Sequence, residues 1–115
     1  VCLVTGGGSG IGAMVAAGLC ANGARVYVCG RKDASAIAGE LTRRGPGTCQ
    51  AIVADITKEE DRTRLVDHVR GAEGRLDVLV NNSGTNWREE VETYPLSAWR
   101  KVMGLNVDAV FATTQ

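Results

Sequence analysis

Thr5-Gly6-Gly7-Gly8-Ser9-Gly10-Ile11-Gly12 is the stretch on which the reading of this chain turns. Val1-Cys-Leu-Val-Thr5 leads into it, a short apolar run with the pattern of a buried strand. Gly10 to Asn22 follows, with Ile11, Met14, Val15, Gly18 and Leu19 on one predicted helical face and Gly23 as a stop. A glycine-rich turn joining strand to helix is where a doubly wound sheet holds a phosphate-bearing ligand. The unpaired N–H groups of the helix point at the loop, and its dipole favours an anion. Glycines let a pyrophosphate reach the backbone and let the helix pack close to the strand. A merely tight turn would use the same residues without a ligand. Gly7 and Gly12 also have the spacing of a Walker A loop. Ala13-Met14 stands where that loop needs Lys followed by Ser or Thr, which excludes an ATPase of that type.

The same alternation continues outward. Arg25-Val-Tyr-Val-Cys29 reads as a second strand. Asp33 can cap a helix whose apolar face is Ala34, Ile37, Ala38 and Leu41, ended by Gly45-Pro46-Gly47. Cys49 to Ala54 is a third strand. Thr57 and Glu60 have capping-box spacing and open a third helix, with Leu65, Val66 and Val69 inward and Gly71 and Gly74 at its end. Leu76 to Val80 is a fourth strand, and Asn81 to Pro95 a polar loop. Ser97 starts a last helical stretch whose apolar set is Leu96, Trp99, Met103, Val107, Val110 and Phe111. Strict alternation of strands and helices predicts an α/β fold with a parallel, doubly wound sheet and right-handed crossovers. Residues 1–115 read as one layered unit.

Composition narrows the function. Lys plus Arg and Asp plus Glu are 13 each, so the formal net charge is zero, against a general nucleic-acid binder. No apolar run approaches the roughly 18 residues of a membrane span. Glycine is the outlier, with 15 in 115 residues, seven of them in the first 23. Cys2, Cys20, Cys29 and Cys49 show no CxxC spacing. They read as reduced, small apolar residues of a cytoplasmic protein. His68, the one histidine, falls on the polar side of its helix, and no metal constellation is present.

These residues together resemble the short-chain dehydrogenase/reductase family. Thr5, Gly6, Gly10, Ile11 and Gly12 match its Thr-Gly-x-x-x-Gly-x-Gly loop, with Ser9 inside it. Asp55-Ile56 matches its Asp-hydrophobic pair after the third strand. Asn81-Asn82-Ser83-Gly84 matches its Asn-Asn-Ala-Gly motif, with Ser for Ala. Leu105-Asn106-Val107 matches its helical catalytic Asn. Trp87 to Val107 looks most like NADPH-dependent ketoacyl reductases of the rhamnolipid-pathway type. The resemblance implies a Rossmann-type dinucleotide site, with Asp55 accepting from the adenine amino group and Ile56 packed beside it. It implies that Asn82 and Gly84 flank the adenine ribose and nicotinamide side. It implies that the Asn106 carbonyl orders a water in a proton relay. Asp55 as a turn residue before Thr57, and Asn82 as an Asx turn at the strand end, are simpler roles for the same side chains.

The second strand bears on cofactor choice. A unit that prefers NAD usually places an acid at its end, against the ribose 2′-OH. Gly30 occupies that place here, followed by Arg31 and Lys32. Arg can bind a 2′-phosphate bidentately and Lys adds a point charge, so NADP(H) is expected over NAD(H). A solvated basic turn is the other reading.

The family's Ser and Tyr-x-x-x-Lys are not within these residues; Tyr27 is followed four on by Arg31, and Tyr94 by Ala98. The expectation is therefore the cofactor half of an oxidoreductase acting on a small alcohol or carbonyl, truncated on its C-terminal side and inactive alone. Its full-length parent is expected to be a homo-oligomer. The competing class is a non-catalytic nucleotide-binding or redox-sensing module. An extended-branch epimerase or dehydratase fits less well, because Ala13 stands at that branch's third glycine. Trp99 is expected in the core; Trp87 and Tyr94 could line a pocket or simply pack.

Overall fold

A computed structural model describes residues 1–115. Four strands, β1 (Cys2–Thr5), β2 (Arg25–Gly30), β3 (Thr48–Val53) and β4 (Val78–Val80), form one sheet in the order β3-β2-β1-β4. All three pairings are parallel, with Val4 opposite Val28 on one side and Val80 on the other. The helices are α1 (Gly10–Ala21), α2 (Ser35–Arg44), α3 (Glu59–Glu73), α4 (Leu96–Met103) and α5 (Ala109–Thr114). The predicted α/β architecture is what forms, a Rossmann-type doubly wound sheet. The chain steps outward from β1 to β2 to β3, then returns across β1 to place β4 on the far side. The order therefore reverses between β1 and β4, where such sheets open a crevice at their carboxyl ends.

One apolar cluster lies on each face of the sheet. Val4, Val26 and Val28 pack with Ala16, Cys20 and Leu41 of α1 and α2. Leu3, Tyr27 and Cys29 pack with Leu65 and Val69 of α3 and with Ala109. Alternate residues of β1 and β2 thus point to opposite faces and both faces are covered, which is why these strands read as unbroken apolar runs. The cysteines are free, and burial pushes the Cys29 thiol up to about 11. The last turn of α3 is tied to β2, where Glu73 accepts from Tyr27 Oη and from Arg25 Nη1, both at 2.8 Å.

Several expectations are corrected. α1 does not turn Ile11 and Met14 inward; they are 72% and 71% exposed, and the buried residues are Gly12, Ala13, Ala16 and Cys20. The helix packs on its small residues, since a Cβ on Gly12 would collide with the Gly6 carbonyl and lie 2.5 Å from Asn82 Nδ2. The Thr57–Glu60 capping box does not form. Lys58 is the residue before α3, no side chain caps it, and Thr57 Oγ1 donates instead to Asp55. α3 runs past Gly71 and ends at Gly74, which adopts a left-handed φ of 69°. Val66 is outward while Leu65 and Val69 are buried. Asp33 does not take the capping place of α2; Ala34 precedes the helix without a side-chain bond, and Asp33, one residue further out, accepts the Ser35 N–H at 2.9 Å.

The last helical stretch differs most. A π-helical segment, Gly104–Asp108, separates α4 from α5. Leu96, Trp99, Val107 and Phe111, read as an inward set, are exposed, and Ala98 and Ala109 are the buried residues. Nothing in residues 1–115 packs over that apolar face. No helix is long and apolar enough to cross a membrane.

Candidate functional site

At the carboxyl ends of the strands lies a cavity of about 1100 Å³. The loop between β1 and α1 forms one wall, through Gly6, Gly8, Ser9, Ile11 and Gly12. The end of β2 supplies Gly30, Arg31 and Lys32, and the end of β3 supplies Asp55, Ile56 and Thr57. The turn after β4 closes the other side with Asn82, Ser83, Gly84 and Thr85. Lys101 and Leu105 reach in from the α4 side.

The floor is held by one buried hydroxyl. Thr5 is fully buried, and its Oγ1 accepts the N–H groups of Asn82 and Ser83, both at 3.0 Å. The same hydroxyl donates to Val80 O at 3.4 Å. Asn82 Nδ2 returns the tie, donating to Thr5 O at 3.0 Å and Gly6 O at 3.3 Å. The glycine loop and the β4 turn are therefore stitched together across the switch point.

The first turn of α1 leaves donors open to a ligand. Ser9 precedes it without a side-chain cap bond, and Ala13 is the first residue to donate back, to Ser9 O at 3.1 Å. The N–H groups of Gly10, Ile11 and Gly12 thus have no intrahelical acceptor. With the helix dipole behind them, these donors favour a negative charge at this end of the cavity. The glycine positions match that use, since Gly6 takes a positive φ of 66° and a Cβ on Gly12 would close the approach between loop and helix.

Charge is placed unevenly around the cavity. Arg31 and Lys32 are exposed at its rim and make no ion pair. Asp55 Oδ1 accepts from Thr57 Oγ1 at 2.7 Å and from Thr57 N at 3.1 Å. The Thr57 hydroxyl, more than the nearby Lys58 and Arg31, holds the Asp55 carboxyl below its ordinary value of 3.8. Asp55 therefore acts as a turn residue through one oxygen, and its Oδ2 carries no bond within the protein.

The structure gathers Gly6, Ser9, Ile11, Gly12, Arg31, Lys32, Asp55, Ile56, Asn82 and Gly84 around this one cavity. Thr5, Gly10 and Asn106 do not line it. Thr5 lies behind the wall, and Asn106 is clamped to the β4 turn. Asn106 Oδ1 accepts the Thr85 N–H and its Nδ2 donates to Thr85 O, each at 2.9 Å. Trp87 and Tyr94 are not among the lining residues either. Ser83, Thr85, Lys101 and Leu105 line it without having been singled out. Ser83 had a usable signal, its place between Asn82 and Gly84; Lys101 had none, being one charge on an amphipathic stretch.

Comparison with known proteins agrees with this geometry. The family model for short chain dehydrogenase matches residues 1–115. The rhamnolipids biosynthesis 3-oxoacyl-(acyl-carrier-protein) reductase of Pseudomonas aeruginosa is 50% identical over 116 residues, covering 100% of this chain and 45% of that protein. RhlG of Pseudomonas aeruginosa, solved as an active-site complex with NADP, superposes with a TM-score of 0.91 at 46% identity, over 99% of this chain and 44% of that one. A metagenomic short-chain oxidoreductase in complex with NADP gives a TM-score of 0.90 at 31% identity, over 98% and 51%. The family-model match over all 115 residues and the 50% identical relative show that the chain belongs to the short-chain dehydrogenase family. It spans less than half the length of the curated relative it matches at 50% identity.

Proposed function

We propose that residues 1–115 form the dinucleotide-binding part of an oxidoreductase that moves hydride between NADP(H) and a small alcohol or carbonyl substrate. The tip of β2 carries the choice of cofactor: Gly30 stands where an NAD-binding unit places its acid, and Arg31 and Lys32 follow it at the cavity rim with no ion pair. A guanidinium fork suits a 2′-phosphate, and a free one loses no partner on binding it. The NADP complexes among the similar structures support the same cofactor.

When bound, NADP(H) supplies or accepts the hydride; this chain supplies its position. The open N–H groups at the start of α1 hold the pyrophosphate, and Asp55 Oδ2 accepts from the adenine amino group beside Ile56. Asn82 acts chiefly by fixing the loop carbonyls, while Gly84 leaves room for the ribose and nicotinamide side. Asn106 serves the proton relay through its backbone carbonyl, its side chain being engaged with Thr85. The Ser and Tyr-x-x-x-Lys that the family resemblance implies for handling the substrate proton are not among residues 1–115.

Calorimetric titration of the full-length protein with NADPH and NADH tests the cofactor assignment. NADPH is expected to bind at least about tenfold tighter, the worth of one charge-assisted pair, and Arg31→Ala to erase most of that preference. Equal affinity for the two cofactors overturns it.

A further inference from the structure

We propose that Cys20 and Cys49 are a thiol pair that closes to a disulfide when a peroxide reaches Cys49, a modification site at the opposite end of the sheet from the cavity described above. The inference does not depend on the cofactor reading. Register places the pair. Val26 of β2 stands opposite Cys2 of β1 on one side and Cys49 of β3 on the other. Paired residues of neighbouring strands share a face, and Val26 packs with Cys20 and Leu41 of the helices. Cys49 is therefore turned toward α1, where Cys20 lies in the last turn. The two elements touch directly there. Cys20 Sγ donates at 3.4 Å to Thr48 O, in the peptide unit that joins Thr48 to Cys49. Cys20 O accepts the Gly47 N–H at 3.0 Å, and the Cys49 N–H is held by Thr42 Oγ1 at 2.8 Å. Both backbones are thus fixed with the two thiols on one face.

Access to the two sulfurs is unequal. Cys20 is 1% exposed, whereas Cys49 is half-buried and lines a cavity of about 430 Å³ at the amino ends of β2 and β3. A peroxide entering that cavity meets Cys49 first. The Cys49 sulfur attacks one oxygen of hydrogen peroxide, the O–O bond breaks, and the thiol proton leaves with the other oxygen as water. The Cys20 sulfur then attacks the sulfenic sulfur of Cys49. The S–S bond forms, the S–O bond breaks, and the hydroxyl leaves with the Cys20 proton as a second water. Both thiols are oxidised and the peroxide is fully reduced. Burial, and after it the neighbouring Cys20 thiol, pushes the Cys49 thiol up to about 12, so thiolate is scarce at neutral pH and the first step is slow. The bond closes a segment that holds β2 and α2, and with them Arg31 and Lys32.

The test treats the full-length folded protein with hydrogen peroxide, blocks the remaining thiols by alkylation, and reads tryptic peptides by mass spectrometry. The expected product joins the peptide ending at Arg25 to the peptide Gly45–Lys58, with fragment ions assigning the bond to Cys20. Cys20→Ala is expected to lose it, leaving Cys49 as an oxyacid, and Cys2→Ala to keep it. The cross-linked protein is expected to melt about 5 °C higher, because a bond over this span restricts the unfolded chain, and dithiothreitol to reverse the shift. Wild-type thiols that both stay open to alkylation after peroxide overturn the proposal. So does oxidation of wild-type Cys49 that stops short of an S–S bond, and so does a bond from Cys49 to Cys2.

Discussion

Thr5 and Gly12 show how single atoms set the site. The Thr5 hydroxyl, fully buried, is the shared acceptor for two consecutive N–H groups of the β4 turn. Thr5→Val keeps the shape and deletes the acceptor. It should cost about 2–4 kcal/mol, since each buried donor left unsatisfied costs about 1–3 kcal/mol; urea unfolding measures it, and Thr5→Ser should recover most of the loss. Gly12→Ala acts by volume. Its methyl would strike the Gly6 carbonyl, so α1 must retreat from the loop. A destabilisation of about 1–3 kcal/mol is expected, with a greater proportional loss of cofactor affinity because the anion donors move with the helix. Parallel melts and titrations separate the two effects. Asn106→Ala frees both backbone atoms of Thr85, and faster amide exchange at residues 84–86 should report it.

Elements show what pattern can and cannot reveal. The strands were legible because both faces of the sheet are covered, which makes β1 and β2 continuous apolar runs bounded by glycine and polar turns. The cavity was legible because glycine loops, strand-end acids and the Asn motif each carry their own chemistry. α1 was not, because it has no charged residue: an apolar helix with no polar side gives periodicity nothing to choose between. What decided its orientation was the closeness of approach, which favours Gly12, Ala13 and Ala16 over the bulkier Ile11 and Met14. The junction of β3 and α3 was misread for a related reason. Thr57 bonds the preceding Asp55, not Glu60, since a short-range Asx turn competes with a capping box for one hydroxyl. This junction should be acid-sensitive. Asp55 and Asp61 both have carboxyls held below their ordinary 3.8, Asp55 mainly by Thr57 and Asp61 by the Asp55 N–H. A depressed folded-state pKa contributes stability that is present above the unfolded value and is lost as pH falls through the folded one. Stability from this junction should thus hold down to about pH 4 and decline below it. Thr57→Val should raise the Asp55 pKa toward its unfolded value in an NMR titration and reduce the size of that acid-dependent decline.

At the scale of the molecule, the two apolar clusters account for the sheet and its first three helices, whereas α4 and α5 present Leu96, Trp99, Val107 and Phe111 outward. β4 pairs on one side only, leaving its other edge open. Residues 1–115 expressed alone should therefore self-associate, with Phe111→Lys and Trp99→Lys shifting size-exclusion elution toward the monomer. A cooperative, monomeric melt of the unaltered chain would contradict this. The stitch at Thr5 and Asn82 has a consequence of another kind. The cradle for the phosphates is locked into the sheet, yet Arg31 and Lys32 hang from the tip of β2 without a bond to anything around them. Under the proposed NADP(H) assignment, coenzyme preference is a detachable module: the tip can be rewritten, even reversed in charge, while the stitched loop behind it stays as it is.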